Sequence, residues 1–172
     1  MNMEKYHPTI RIIHWLMLVL FAIIFVLGTV MIEFKECCSP WAMYDIHKST
    51  GVLVFLFLLL RVFLRWQTPI PAPLPQIHAL NHSVAQSVVY LLYLLMIIVP
   101  ISGYALSNVH GHQVEFYGLP LPQLFPTRPD WEIITSFLHY YLTYVFLGLF
   151  LLHVLGVIKH HMHGLEILRR IT

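Results

Sequence analysis

Histidines are the residues of this chain whose number and placement point to chemistry. The 172 residues include twelve histidines, against ten lysines and arginines and eight acidic residues. Imidazole binds metal ions through a neutral ring nitrogen and exchanges protons near neutral pH. Four histidines fall in or beside long apolar stretches, where an ionisable side chain is costly and therefore a candidate functional group. They are His14, His47, His139 and His153.

The spacing of these four residues suggests two pairs. His139 and His153 lie fourteen residues apart in one apolar stretch. In an α-helix this separation is close to a whole number of turns, so both rings share a face about 21 Å apart. His47 matches the depth of His139 (the outer level), and His14 matches that of His153 (the inner level). Two imidazoles that face each other from different helices, twice over, are what two bis-histidine haems require.

Other interpretations of the histidines fit less well. Zinc and copper sites bring three or four ligands together, whereas this pattern offers pairs. A proton relay would want graded depths and acidic partners, but the interiors of the apolar stretches contain no Asp or Glu. A lone membrane histidine can also be a hydrogen-bonded packing residue. Gly51, Gly148 and Gly156 would admit a flat macrocycle, although glycines serve ordinary helix packing too.

The elements that must position the histidines are membrane-spanning helices. The chain is 58% hydrophobic and only 10% charged, whereas soluble domains are about a quarter charged. This composition excludes a disordered chain, a nucleic-acid binder with a basic surface and an ordinary cytosolic enzyme. Each apolar stretch has about the 20 residues that a helix needs to cross a bilayer. The stretches cover residues 12–32, 46–66, 83–106 and 133–158.

We therefore predict an all-α integral membrane protein, a four-transmembrane-helix bundle that forms a single domain over residues 1–172. Four spans place both termini on one side, together with seven basic residues against three on the other side. The positive-inside rule assigns both termini to the cytoplasm. The adjacent pair Cys37 and Cys38, in the first outer loop, fits neither a zinc pattern nor a loop-closing disulfide.

Several short motifs follow one another along nearly the whole chain. They are Ile13-His14-Trp15, His47 with Gly51, Arg61 and Arg65 followed by a proline-rich segment, Pro100 with Gly103, Leu152-His153 and His160-His161. In these features the sequence resembles the bacterial di-haem b-type cytochromes of the inner membrane that act as superoxide oxidases (superoxide:quinone oxidoreductases).

The resemblance implies two haem b cofactors, with His14 and His153 ligating the inner iron and His47 and His139 the outer one. It implies electron entry from superoxide on the outer side and reduction of ubiquinone or menaquinone, with proton uptake from the cytoplasm. The expected partners are membrane lipid and quinone, with no nucleic acid.

The same resemblance suggests roles for other polar residues. Arg11, Arg61, Arg65 and Lys48 are candidate partners of the haem propionates, or simply residues that hold the helix ends at the interface. His160 and His161 are candidates for a quinone or proton site at the cytoplasmic end. Their alternative role is that of solvated cations at a helix C-terminus.

Two other functions remain open. One is a cytochrome b membrane-anchor subunit that accepts electrons from a partner hydrogenase or dehydrogenase. The other is a haem-free transporter or proton-relay bundle. The outer charges bear on the donor, because a surface that gathers an anion should be positive. Here six acids face outward against three bases, with Lys48, His110 and His112 as the candidates for a local positive region.

Overall fold

A computed structural model describes residues 4–33, 40–74, 76–165 and 167–172. Cys37 and Cys38 lie outside the described residues. These residues form four long helices, and each is long and apolar enough to cross a membrane. A two-stranded antiparallel hairpin and two 3-10 turns complete the described elements. The helices are α1 (Pro8–Glu33), α2 (Pro40–Gln67), α3 (Ala79–Val109) and α4 (Glu132–Met162), and the strands are β1 (Glu115–Phe116) and β2 (Leu119–Pro120).

The four predicted spans are confirmed as helices, and every helix extends beyond the predicted ends. The helix predicted at residues 46–66 begins at Pro40, and α4 continues to Met162. Hydropathy detects only the part of a helix that lies in hydrocarbon, whereas backbone hydrogen bonding continues through the headgroup region. The 31 residues of α4 span about 46 Å, which is close to the full thickness of a bilayer with its headgroups.

The bundle consists of two helical hairpins, α1 with α2 and α3 with α4. Contact is extensive within each hairpin and much sparser between them, where it runs mainly between α2 and α3. The main cluster of buried side chains lies where the four helices face one another, because their outward faces are apolar and meet lipid. Met17, Leu58, Leu92 and Phe146 belong to this core. A cleft lies between the hairpins at the level of His14 and His153.

The connection between α3 and α4 folds across the outer end of the bundle and forms a cap (residues 110–131). Asn108, only 1% exposed, accepts hydrogen bonds through Oδ1 from the backbone N–H groups of Leu124 and Phe125, at 3.0 and 3.3 Å. Ser49 of α2 donates to the Glu115 carbonyl and accepts from the Tyr117 N–H, both at 3.0 Å. The cap is thereby fixed to both hairpins.

The two ends of the described chain meet at the opposite end of the bundle. The Glu4 carboxylate accepts a hydrogen bond from the Ala72 N–H at 3.1 Å, and Arg170 donates to the carbonyls of both residues. Trp15, next to His14, donates to the Ile171 carbonyl at 3.0 Å. This end, assigned to the cytoplasm by its basic residues, is closed by contacts between segments distant in sequence.

Candidate functional site

The outer level brings His47 and His139 together from different hairpins. Their ring centres are 6.4 Å apart and their planes are nearly perpendicular, at 89°. A metal–imidazole bond measures about 2 Å, and the ring nitrogen lies about 1 Å from the ring centre. Two axial imidazoles on one metal ion therefore have ring centres about 6 Å apart. The separation of the outer pair matches this requirement.

His139 of α4 is seated against α3. Its Nδ1 lies 3.0 Å from the hydroxyl of Ser102. A Cβ at the neighbouring Gly103 would come within 2.8 Å of Cε1 of the imidazole, closer than such carbon atoms approach. The glycine therefore makes room for the ring, and the polar contact involves only one of its nitrogens.

His47 of α2 is seated in the same way against α1. A Cβ at Gly28 would lie 3.2 Å from Cε1 of the ring, tighter than nearly all real contacts. Among the residues that the structure describes, Nδ1 of His47 is buried and makes no hydrogen bond of normal geometry, although the Ile24 carbonyl lies near the ring. Both outer rings thus rest on a glycine of their own hairpin and face each other across the sparse interface. A buried imidazole that lacks a full set of partners fits a metal ligand better than a packing residue.

The inner level is a cleft between the hairpins. His14, Arg61 and His153 line it, and the remaining walls are apolar apart from the hydroxyl of Tyr93. The cleft encloses about 570 Å³ of empty space, including its open side. The described hydrogen bonds include none from a ring nitrogen of His14 or His153.

Arg61 enters the inner level by the same spacing that relates the two histidines of α4. It follows His47 by fourteen residues, so α2 presents an imidazole at the outer level and a guanidinium at the inner one. Nε of Arg61 donates to the Tyr93 hydroxyl at 3.0 Å, and the guanidinium lies 5.7 Å from the centre of that ring. Tyr93 therefore holds a positive charge beside the inner histidines.

An aromatic pair separates the two levels. Phe146 follows His139 by seven residues and precedes His153 by seven, and Phe21 follows His14 by seven. The two phenyl rings, from α4 and α1, pack with their centres 4.8 Å apart. Each level is thereby closed toward the other by a layer of side chains at the middle of the bundle.

Comparison with known proteins agrees with this arrangement. The family model of the prokaryotic cytochrome b561 matches residues 5–172. The chain belongs to the prokaryotic cytochrome b561 family. Cytochrome b561 homolog 2 of Escherichia coli (strain K12) is 28% identical over 161 residues, which cover 92% of this chain and 85% of the relative. The probable superoxide oxidase CybB of Yersinia pestis is 30% identical over 170 residues, 92% of this chain and 90% of the relative.

Membership confirms the predicted family, the membrane-spanning helical bundle and the bacterial inner membrane. It also makes this chain an electron-transfer protein that binds haem b. The side chains fit that cofactor, because His47 and His139 face each other and His14 and His153 line one cleft. Among the described residues, no three His, Cys, Asp or Glu side chains come together as a metal cluster. The number of haems, their ligands and the substrate go beyond what membership shows.

Of the four predicted propionate partners in this cytochrome b561, only Arg61 lines the cleft. Arg11 donates to the Thr172 carbonyl, while its Nε is buried without a partner among the described residues. Arg65 lies 5.9 Å from the ring centre of Tyr6. Lys48 contacts the Asp45 carboxylate at 2.8 Å and the Gln113 carbonyl at 3.1 Å.

The cytoplasmic histidines do not reach the inner cleft. His160 and His161 lie in the last turn of α4, and neither lines that cleft. Sequence reasoning did not identify Gly28, Ser102 or Tyr93. Only the first had a signal in the sequence, because it follows His14 by fourteen residues and so occupies the outer level of the same helix face.

Proposed function

We propose that this cytochrome b561 holds two b haems and carries electrons from the outer side of the membrane to a quinone at the cytoplasmic side. His47 and His139 would ligate the outer iron, and His14 and His153 the inner one. The observation that supports this most strongly is the 6.4 Å separation of the outer imidazoles, repeated in sequence by a second pair fourteen residues deeper on α4. When bound, haem supplies reversible one-electron transfer.

The protein contributes position, insulation and charge to this transfer. The helices hold the two levels about 21 Å apart along the bundle axis, which divides the path across the bilayer into shorter steps. The cap closes the outer end, and Phe21 with Phe146 fills the space between the levels. Arg61 would pair with an inner propionate, because a guanidinium in an apolar cleft requires an anion.

Protons must reach the quinone from the cytoplasm. A quinone takes up two electrons and two protons to become a quinol, and two superoxide anions supply the electrons by leaving as two molecules of oxygen. His160 and His161 stand at the cytoplasmic end of α4, about two turns beyond His153. We propose that they deliver protons to the quinone, which would be ubiquinone or menaquinone.

Superoxide is the first candidate donor, because the relative from Yersinia pestis is named a probable superoxide oxidase. The charges on the outer surface give less support to an anionic donor. Arg128 donates two hydrogen bonds to Asp130, at 3.0 and 2.9 Å, and the carboxylate raises the pKa of this guanidinium. Lys48 is paired with Asp45. Both described outer cations therefore have acidic partners, and their field on an approaching anion is reduced.

That observation favours a second candidate, a cytochrome b membrane-anchor subunit whose donor is a docked hydrogenase or dehydrogenase. Both functions use the same two haem levels and the same quinone. They differ in whether the purified chain oxidises superoxide by itself. The haem-free alternative loses its basis, because the family is one of haem b proteins.

The haem assignment is tested by stoichiometry. The purified protein, produced with ample haem, should contain two haems per chain by the pyridine haemochrome assay. His47→Ala and His139→Ala should each lose about one haem, and their difference spectra should be alike. His14→Ala and His153→Ala should form a second spectral class. His78→Ala and His82→Ala, at the start of α3, serve as matched controls. Full haem content in all four ligand variants would refute the assignment.

The donor is tested with the same preparation in proteoliposomes that contain ubiquinone. Superoxide oxidation should reduce the quinone without any other protein, and the rate should depend only weakly on salt because the outer cations are paired. Absence of activity in a protein with two haems would reject superoxide in favour of a docked donor. Reduction of the outer haem by a co-purifying oxidoreductase would then identify the anchor function.

A further inference from the structure

Ser102 of α3 has two polar neighbours and a single hydroxyl hydrogen. Its Oγ lies 2.7 Å from the Val99 carbonyl oxygen and 3.0 Å from Nδ1 of His139. A carbonyl oxygen can only accept, so the shorter bond uses the serine hydrogen. The longer bond then requires that the imidazole donates. Nδ1 of His139 therefore carries the proton, and Nε2 keeps the lone pair that a metal ion needs.

We propose that Ser102 is a positioning residue for His139, which fixes Nε2 as the ligand nitrogen and lowers the reduction potential of the outer haem. The proposal rests on the two-haem function. When the N–H of a ligating histidine has a hydrogen-bond acceptor, the orientation of the ring is fixed and the ligand nitrogen becomes more basic. A more basic ligand stabilises ferric over ferrous iron, because ferric iron carries the larger positive charge.

The contact distinguishes His139 from the other three candidate ligands. No ring nitrogen of His14 or His153 takes part in a described hydrogen bond. His47 and His139 each lie near a backbone carbonyl, that of Ile24 and that of Val99, but among the four candidate ligands only His139 also has a described side-chain partner. Gly103 constrains the same ring sterically, because the ring of His139 occupies the space that a Cβ at position 103 would need. Ser102 and Gly103 together limit both the tilt and the tautomer of one imidazole at the outer level.

The test compares Ser102→Ala, Ser102→Cys and Ser102→Thr in the full-length haem-loaded protein. Ser107→Ala is the control, because it removes another hydrogen-bonded serine of the same helix. Haem content comes from the pyridine haemochrome assay, and both midpoint potentials come from spectroelectrochemical titration. Haem affinity at each level comes from titration of haem into the depleted protein.

Ser102→Ala should raise one midpoint potential and leave the other unchanged. It should weaken haem binding at that same level by about 10-fold or more, as loss of such a supporting partner does at other metal sites. Ser102→Thr should keep the wild-type potential and affinity. Ser102→Cys should raise the same potential by less than Ser102→Ala does. If Ser102→Ala does not fold, the cysteine variant decides, because it keeps the volume and weakens the acceptor.

Two unchanged potentials in a folded Ser102→Ala or Ser102→Cys protein with two haems would overturn the proposal. Equal shifts of both potentials would also overturn it, because they would indicate a general change of the bundle. Failure of the two-haem function looks different. The wild type would then hold fewer than two haems, or His139→Ala would keep both.

Discussion

At the outer level, His47 and His139 each lie against a glycine of their own hairpin and face each other at 6.4 Å under a hydrogen-bonded cap. At the inner level, His14 and His153 line an open cleft, which also holds the guanidinium of Arg61 bound to the Tyr93 hydroxyl. The outer rings are thus held by steric fit, whereas the inner ones have open space and a cation. The difference suggests that binding at the outer level depends on shape and that binding at the inner level depends on charge.

This contrast agrees with the direction of electron flow that we propose. The level that receives electrons should hold its iron at fixed geometry behind a closed surface. Electrons can then enter without side reactions in water. An acceptor site that reduces quinone needs access from lipid and a supply of protons. The open cleft lies toward the end that carries the basic residues and the histidines of the last turn of α4.

Gly103→Ala should disrupt the steric fit of the outer histidines most severely. The added Cβ would stand 2.8 Å from Cε1 of His139, so the ring must move, and haem content should fall from about two per chain to about one. Gly28→Ala, with a contact of 3.2 Å, should weaken outer haem binding with a smaller loss. Overpacking of this kind costs about 1–3 kcal/mol.

Gly148→Ala supplies the matched control for these two variants. Gly148 follows His139 by nine residues and so lies on the opposite side of α4, away from the histidine face where a macrocycle would bind. Nothing lies within 4 Å of a Cβ at that position, although it occurs in the same helix as His139. Haem content and spectra should equal those of the wild type. Equal haem loss in all three variants would show that the outer site does not depend on the two close approaches.

Arg61→Gln tests whether binding at the inner level depends on charge. Loss of a positive charge beside the inner haem should favour the ferric state, and one midpoint potential should fall by about 60 mV for a tenfold change in the equilibrium. The outer potential should stay constant. Arg61→Lys keeps the charge and should shift the potential less. Arg65→Gln is the control, because that side chain lies over Tyr6, outside the cleft. Shifts of both potentials would contradict a local role.

The independence of the two levels depends on the layer between them, and Phe146→Ala tests it. Phe146 is 8% exposed, and truncation of a buried phenylalanine costs about 3–5 kcal/mol. Both Soret bands should be lost at lower temperature in a nanodisc melt, whereas Phe146→Leu should be nearly silent. Phe137→Ala, on the same helix with 53% of the residue exposed, is the control. Unequal loss of the two bands would assign the phenylalanine to one level alone.

The sequence was informative where one helix determines the answer. The separation of His139 from His153 is a property of α4, and matching depths follow from the ends of the apolar stretches. Contacts between helices could not be predicted in this way. That Ser102 meets His139, or that Tyr93 meets Arg61, depends on the rotation and vertical offset of α3, which no local pattern specifies. The length of the segment between α3 and α4 suggested a cap, but its contacts could not be predicted, since Asn108 and Ser49 bind backbone groups that have no sequence signature.

The cap contributes the smallest expected effect, tested by Ser49→Ala. The Ser49 hydroxyl joins α2 to the β1–β2 hairpin through two hydrogen bonds of 3.0 Å, each worth about 1 kcal/mol. Amide exchange at residues 115–119 should accelerate, and a water-soluble reductant should reach the outer haem a few-fold faster. Haem content and both potentials should persist. Thr135→Ala is the control, because its hydroxyl bonds only to nearby carbonyls at the start of α4. If reduction slows instead, the cap guides electrons to the outer level rather than shielding it.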